Sequence, residues 1–370
     1  MQTERTMKLK IYILLFLYGI ITVQCSKDDI DPNDGNNADA TDQYDSYWYY
    51  SYKAQLVLTG ESLKLTDAFS PYTIAHFGDT LFIANSADNS LLLIDSETTR
   101  VMRTLRSWTF NGQEKSFNSP IEAIVPVGNR LYVAERQSRI HVFKLPGFQY
   151  IACIGNGNYN GPVFQAQAMD VADGLIFARD KDGSVSIYQE ASVTSQNSGK
   201  IDRYRKAAGI GTHNNSFAPH KMLADEDGYL LLTDYEGRKI RLLNPSLVND
   251  DMENGSSIDM AKLSLDLDFK PKSLIKTENH LYITGDNNAI NIYDRKEHKW
   301  NNKLTSVNGY TFSQPTCICA QNDSVFWISD THNSKQALIK INVYRGEIRE
   351  EYYNSSTHPS TLSPDSRTLL

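Results

Sequence analysis

The sequence predicts an all-β protein, a six-bladed β-propeller of four-stranded blades. One motif recurs six times along the 370 residues at a nearly constant interval. The recurring segments are rich in β-branched and aromatic residues, and turn-forming residues separate them at matching places. Repeats of this period specify a propeller or an array, because a single short sheet cannot bury its apolar faces alone.

Each copy opens on phenylalanine, with proline shortly after. An apolar strand, a turn, a second strand ending in Asp, Asn or Glu, and a third strand follow. The copies begin at Phe69, Phe117, Phe164, Phe217, Phe269 and Phe312, at intervals of 48, 47, 53, 52 and 43 residues. Gln165 stands where the third copy should carry proline. Leu131–Val133, Leu281–Ile283 and Val325–Ile328 are strand-like runs. "VGNR", "ADG", "DEDG", "TENH" and "QND" supply the turns between first and second strands. Gln149–Ile154 and Arg345–Glu351 read as fourth strands. Proline cannot donate to a ladder, so it belongs at a strand start. The phenylalanine is expected to pack between neighbouring blades. Gln55–Thr59 reads as one more strand that could complete the last blade, and Glu347–Tyr352 competes for that place. The aromatic run "YDSYWYYSY" (Tyr44–Tyr52) is either a stacking surface or, the favoured reading, packing against the side or bottom of the fold.

With these motifs the chain resembles the NHL-repeat propellers from roughly Phe69 to Tyr344. The match is best in "FNSPIEAIVPVGNRLYVAERQSRIHVF" and "GIGTHNNSFAPHKMLADEDGYLLLTDYEGRKIRLL". It is specific for architecture and nearly silent on activity.

The N-terminus carries Arg5, Lys8 and Lys10 ahead of an uncharged run, Ile11–Val23, too short for a spanning helix of about 20 residues. This is the pattern of an export signal. Residues 1–24 are expected to be a signal peptide. The following "CSKDD" resembles a Bacteroidetes-type surface lipoprotein, with Cys25 as the lipidated mature terminus and a membrane anchor. Gln24 departs from that pattern, which prefers a small residue there. A cleaved secretory signal with an incidental cysteine is the alternative. Residues 25–54 then form an acidic tether and the aromatic segment, residues 55–352 the propeller, and residues 353–370, rich in Ser, Thr and Pro, a disordered tail. Net charge is −7, and removing residues 1–24 takes away three basic and one acidic residue, leaving −9. That balance, with no Lys/Arg run, argues against nucleic acid as a partner. Cys153, Cys317 and Cys319 read as small core residues rather than a disulfide framework.

The position after the repeat's proline is Tyr72, Ile121, Ala166, His220, Lys272 and Thr316 in the six copies. In the zinc-dependent peptide-amidating lyases, which resemble this propeller, histidines from several blades meet there. One histidine in six copies does not supply the three protein ligands a catalytic zinc needs. His220 therefore reads as a polar residue at the channel mouth. "DKDG" (Asp180–Gly183) and "DEDG" (Asp225–Gly228) read as hairpin turns, not calcium loops. A channel calcium like that of lactonase-type propellers would need Glu122, Asp170 and Asp286 to converge. No nucleophile elbow or phosphate loop is present, and "GNGNYNG" (Gly155–Gly161) reads as a blade-to-blade loop. No cofactor is expected.

The loops sharing one face carry Trp108, Tyr159, Tyr310, Arg136, Arg179, Tyr235, Arg238, Asn287 and His332. Tyr72, Glu122, Gln167, His220, Lys221 and Lys272 fall near the channel mouth. Aromatics with convergent polar groups suit a small-molecule or glycan site, and aromatic–Arg enrichment suits a protein interface. A solvated face without a site is the plain alternative. The expected function is a surface-anchored binding module. The resemblance implies nutrient capture beside an outer-membrane TonB-type transporter, with a small molecule, glycan or corrinoid as ligand. The alternatives are an extracellular metal-dependent lyase or lactonase-type hydrolase at the channel mouth, and a protein–protein scaffold.

Overall fold

The computed structural model describes residues 44–136, 139–155, 168–179, 184–207, 219–225, 228–245, 264–332 and 335–351. The signal, Cys25, most of the tether, Gln167, Tyr159, the "DKDG" turn and the tail lie outside them. Six four-stranded antiparallel sheets form the six expected blades. Blade one is Pro71–Phe77, Thr80–Asn85, Ser90–Asp95 and Val101–Leu105. Blade two is Ile121–Val127, Arg130–Glu135, Arg139–Lys144 and Gln149–Ile154. Blade three is Met169–Ala172, Leu175–Arg179, Val185–Gln189 and Arg205–Ala207. Blade four is Pro219–Ala224, Leu230–Asp234, Lys239–Leu243 and Ser264–Asp266. Blade five is Pro271–Lys276, His280–Gly285, Ile290–Asp294 and Lys299–Trp300. Blade six is Pro315–Asn322, Val325–His332, Lys335–Glu351 and, outermost, Tyr44–Leu58. The first strands of successive blades touch in turn, and those of blades six and one touch too, so the ring is closed.

The ring unit is Trp48–Glu347; the other unit is described only at Tyr44–Tyr47 and Ile348–Glu351, which are extended strand. The competition for the last blade's fourth strand is settled by topology. Arg345–Glu351 is no separate strand; it continues the blade's third strand, and the N-terminal strand lies beside it. That strand starts at Tyr44, well before Gln55. Within the ring unit, the Tyr50 ring meets His280 edge-on at 4.5 Å and Tyr52 meets Tyr282 at 6.2 Å. These tyrosines pack on the side of the fold, as favoured.

Why the strands read as unbroken apolar runs is plain from their packing. Strand side chains alternate between faces, and here each face meets a neighbouring blade. Leu81, Ile83 and Leu92 join a core with Trp327, Cys317 and Leu338 of blade six. Phe82, Ala84, Leu91 and Leu93 join one with Ile124, Leu131 and Val133 of blade two. Six such interblade cores complete the ring. Phe69, Phe117, Phe269 and Phe312 each lie buried in one, so the repeat's phenylalanine packs between blades as expected. Pro71, Pro219, Pro271 and Pro315 each open a first strand, also as expected. Cys153, Cys317 and Cys319 are buried free thiols. The "ADG" turn puts Asp173 and Gly174 at φ 51° and 73°, the paired left-handed conformation of a tight hairpin.

In four blades the polar residue at or near the end of the second strand has the same task. Its side chain accepts backbone N–H groups from the segment leading into the first strand of its own blade. Asn85 Oδ1 takes Ser70 N at 2.7 Å, and Asp286 Oδ1 takes Lys270 N at 2.9 Å. Glu135 takes the N–H groups of Asn118 and Ser119, and Asp330 those of Ser313 and Gln314. In these four blades the motif's phenylalanine, proline and polar residue form one device that fixes where the blade starts on the channel, whereas Asp234 of blade four accepts from Gly237 N and Arg241 instead.

Candidate functional site

Fixing the blade starts brings the residues beside each proline to a common centre. They enclose a cavity of about 340 Å³ at one mouth of the channel. Blade one supplies Tyr72 and Thr73; blade two, Glu122 and Ala123; blade three, Met169, with Ala168 just before it. Blade four supplies His220, Lys221 and Tyr235. Blade five gives Lys272 and Ser273, and blade six Gln314, Thr316, Cys317 and Thr331.

Six of the sequence-predicted residues therefore line the same cavity: Tyr72, Glu122, His220, Lys221, Tyr235 and Lys272. Arg136 adjoins it, with Nε 2.5 Å from Glu122 Oε1. Arg179 acts electrostatically on both Glu122 and His220 without lining the cavity. Gln167 lies outside the described residues. Arg238 and His332 are exposed and do not line the cavity. Arg238 occupies an exposed turn at φ 51° between the second and third strands of blade four. His332 is exposed because strand alternation gives the inward place to its neighbour Thr331. Trp108 is no rim residue either. It is buried between blades one and two, stacked on Tyr150 at 5.3 Å. Tyr310 donates to Asp330 Oδ2 at 2.7 Å.

Gln314 and Thr331 escaped the sequence reading. Their signal was positional: one precedes the repeat's proline, the other follows the second strand's terminal acid. With its amide oriented to satisfy both ends, Gln314 accepts from Lys272 Nζ at 2.7 Å and donates to the Thr331 carbonyl at 3.2 Å. Thr316 Oγ1 lies 2.8 Å from Ser329 Oγ and 3.3 Å from Thr331 Oγ1, giving that side of the cavity a chain of hydroxyls.

The electrostatics follow from burial. The Glu122 side chain is 1% exposed while its partner Arg136 is 49% exposed, so the pair has one dry end and one wet end. Glu122 Oε2 is buried without a hydrogen-bond partner. Burial, then the nearby Glu122 carboxylate, pushes the Tyr72 phenol up to about 12. Burial lowers Lys272 and Arg179, disfavouring their charged forms. Burial also raises Asp170, whose carboxylate accepts from Ala224 N at 2.5 Å and Val171 N at 2.9 Å. Burial, then the positive charges of Arg179 and Lys272, pulls His220 down to about 4. His220 is thus neutral at neutral pH, with its ring 4.5 Å from that of Tyr235.

A depressed histidine makes the fold acid-sensitive. Between about pH 6.5 and 4 the unfolded chain binds a proton that the folded chain refuses, so stability falls as pH falls through that window. Wild type is expected to lose about 2–3 kcal/mol through this residue. Urea melts at pH 7 and pH 4.5 check it: H220Q should show the shallower loss, and equal losses would exclude His220 as the cause.

Among the described residues no three His, Cys, Asp or Glu side chains come together as metal ligands, and Glu122, Asp170 and Asp286 form no such set.

No protein-family model matches the chain, and no curated protein matches it. Solved structures similar to it are numerous, 1550 chains. One is the crystal structure of the computationally designed Ika8 protein: 11% identity, 72% of this chain and 70% of that chain covered, TM-score 0.40. Another is a chain of the mitotic checkpoint complex: 13% identity, 73% and 75% covered, TM-score 0.48. Likenesses this distant carry no argument about function. The chain is a six-bladed β-propeller, a class compatible with a binding or scaffold role.

Proposed function

We propose that this is an NHL-type propeller acting as a ligand-binding module at the cell surface, held by a lipid on Cys25 and serving capture beside an outer-membrane transporter of the TonB-linked kind. One observation supports the binding role above all others. All six blades send side chains into one cavity, and one carboxylate oxygen there, Glu122 Oε2, is buried without a protein donor. A buried carboxylate oxygen with no protein donor costs about 1–3 kcal/mol unless a water or a ligand donates to it. A ligand that completes the bond recovers it. The cavity's size falls at the lower end of the range for small-molecule sites, about 300–1,000 Å³. The address rests on the basic start, the apolar run and "CSKDD".

The test is recovery of the natively anchored protein from gently solubilised outer membranes, followed by mass spectrometry. A β-barrel transporter at near-equal amount is the expected result. The protein alone, from cells in which C25A remains just as membrane-bound, would sink both the anchor and the capture role.

A further inference from the structure

We propose that the cavity takes a small polyhydroxylated carboxylate, a sugar acid of the hexuronate class; this rests on the ligand-binding reading above. The lining itself supplies the specification. It holds two ammonium groups, Lys221 and Lys272, against one carboxylate, Glu122, which Arg136 already pairs at 2.5 Å. Among the described residues the Lys272 ammonium has the neutral amide oxygen of Gln314 as its hydrogen-bond partner, and the Lys221 backbone is held by Thr233 while its ammonium makes no hydrogen bond or ion pair. Three aspartates lie behind this wall, and their carboxylates are engaged elsewhere. Asp170 serves the N–H groups of Val171 and Ala224, Asp286 that of Lys270, and Asp330 those of Ser313 and Gln314. They soften the field without supplying an acceptor to the cavity. An anionic group on the ligand fits the two lysines.

The opposite wall asks for the opposite partner. Glu122 Oε2 is a buried acceptor with no protein donor in hydrogen-bond geometry, and the Tyr72 phenol lies beside the same carboxylate. An ammonium group is a poor candidate, because Arg136 sits on the other oxygen of the same carboxylate and would repel it. A neutral hydroxyl carries no such penalty and satisfies the oxygen. Between the two walls run hydroxyls that both donate and accept, Thr316 with Ser329 and Thr331. The tilted His220–Tyr235 pair adds aromatic surface of the kind that sugar C–H faces pack against. A bare anion would leave Glu122 Oε2 without a donor, and a neutral sugar would leave the two ammonium groups without an anionic partner. A uronate does neither.

Isothermal titration of the full-length protein with D-glucuronate, D-galacturonate, D-glucose, acetate and sulfate tests this. At least one uronate is expected to bind about tenfold or more tightly than glucose or acetate, since each completed charged hydrogen bond contributes roughly a factor of ten. K272Q should lose about tenfold for that uronate and nothing for glucose. E122Q should weaken the uronate and leave acetate unchanged. Urea midpoints of both variants equal to wild type would show that the losses are not unfolding. Glucose binding as tightly as the uronates would overturn the anionic class, and acetate or sulfate binding as tightly would overturn the polyol half. Failure of both uronates would overturn the whole class, while the capture role would still be judged separately by transporter recovery.

Discussion

A chain that begins at Thr59 is expected to lose the cooperative fold. Such a chain lacks the outer strand of blade six, Tyr44–Leu58. Leu58 is buried in the core between blades six and one, and Leu56 packs partly buried against it. Tyr50, Tyr52 and Ala54 pack against the core between blades five and six. Each buried large apolar side chain contributes about 1.5–3 kcal/mol, so their joint loss rivals the roughly 5–15 kcal/mol that holds a domain folded. A second cost adds to the first. The strand Lys335–Glu351 would be left as a free edge, open to pairing with another chain. Size-exclusion chromatography and a thermal melt followed by near-ultraviolet circular dichroism check the expectation. A monomer with a sharp transition near the wild-type midpoint would show that the closing strand is dispensable. Supplying residues 44–58 as a separate peptide should restore the transition if the lost pairing is the cause.

The architecture was legible because its signals are local and repeated. The phenylalanine recurs in all six copies, the proline in five and the terminal acid in four, so a departure in one copy is corrected by the others. Blade three shows this: Gln165 replaces the proline and Arg179 the acid, yet four strands form there too. Ring closure was not legible, because two segments far apart in sequence, before Thr59 and after Tyr344, both read as strands. Only the ladder decides between them. The site was half legible for a related reason. Tyr72, His220 and Lys272 share one repeat position, and aligning the copies places them together. Arg238 and His332 were chosen for their chemistry on nearby loops, where one or two residues of offset reverse the direction of a side chain. Trp108 was misplaced because an aromatic in a loop suggests a rim, whereas this one belongs to a hairpin, Ser107–Phe110 with Gln113–Ser116, folded back onto an interblade core. The Glu122–Arg136 pair lies within blade two, where the first and second strands run antiparallel with Ile121 opposite Glu135, so the hairpin register brings the two side chains together.

Asp330 shows how the repeat's architecture and its cavity depend on the same bond. D330A is expected to cost about 3–5 kcal/mol, more than a typical core truncation by one methyl group. Asp330 is fully buried and accepts from Gln314 N at 2.5 Å, Ser313 N at 2.9 Å and Tyr310 Oη at 2.7 Å. Alanine leaves all three donors dry and removes the charge that compensates them. D330N should cost less. Its carbonyl oxygen still accepts from Gln314, and the tyrosine hydroxyl can turn to accept from the amide. Blade one uses asparagine natively at this place. There Asn85 Oδ1 takes Ser70 N while Nδ2 donates to the Ala68 carbonyl at 2.9 Å and to Asp88 at 2.8 Å. Blade six has Tyr310 instead of those acceptors, so its asparagine would satisfy fewer groups than blade one's. The order wild type, D330N, D330A in urea midpoint is therefore the signature of hydrogen-bond loss, whereas equal midpoints for both variants would point to loss of charge alone. The effect reaches the cavity as well. Gln314 is held by Asp330 through its backbone and meets Lys272 with its side chain. D330N, folded but with a loosened Gln314, should weaken any anionic ligand more than it weakens a neutral one.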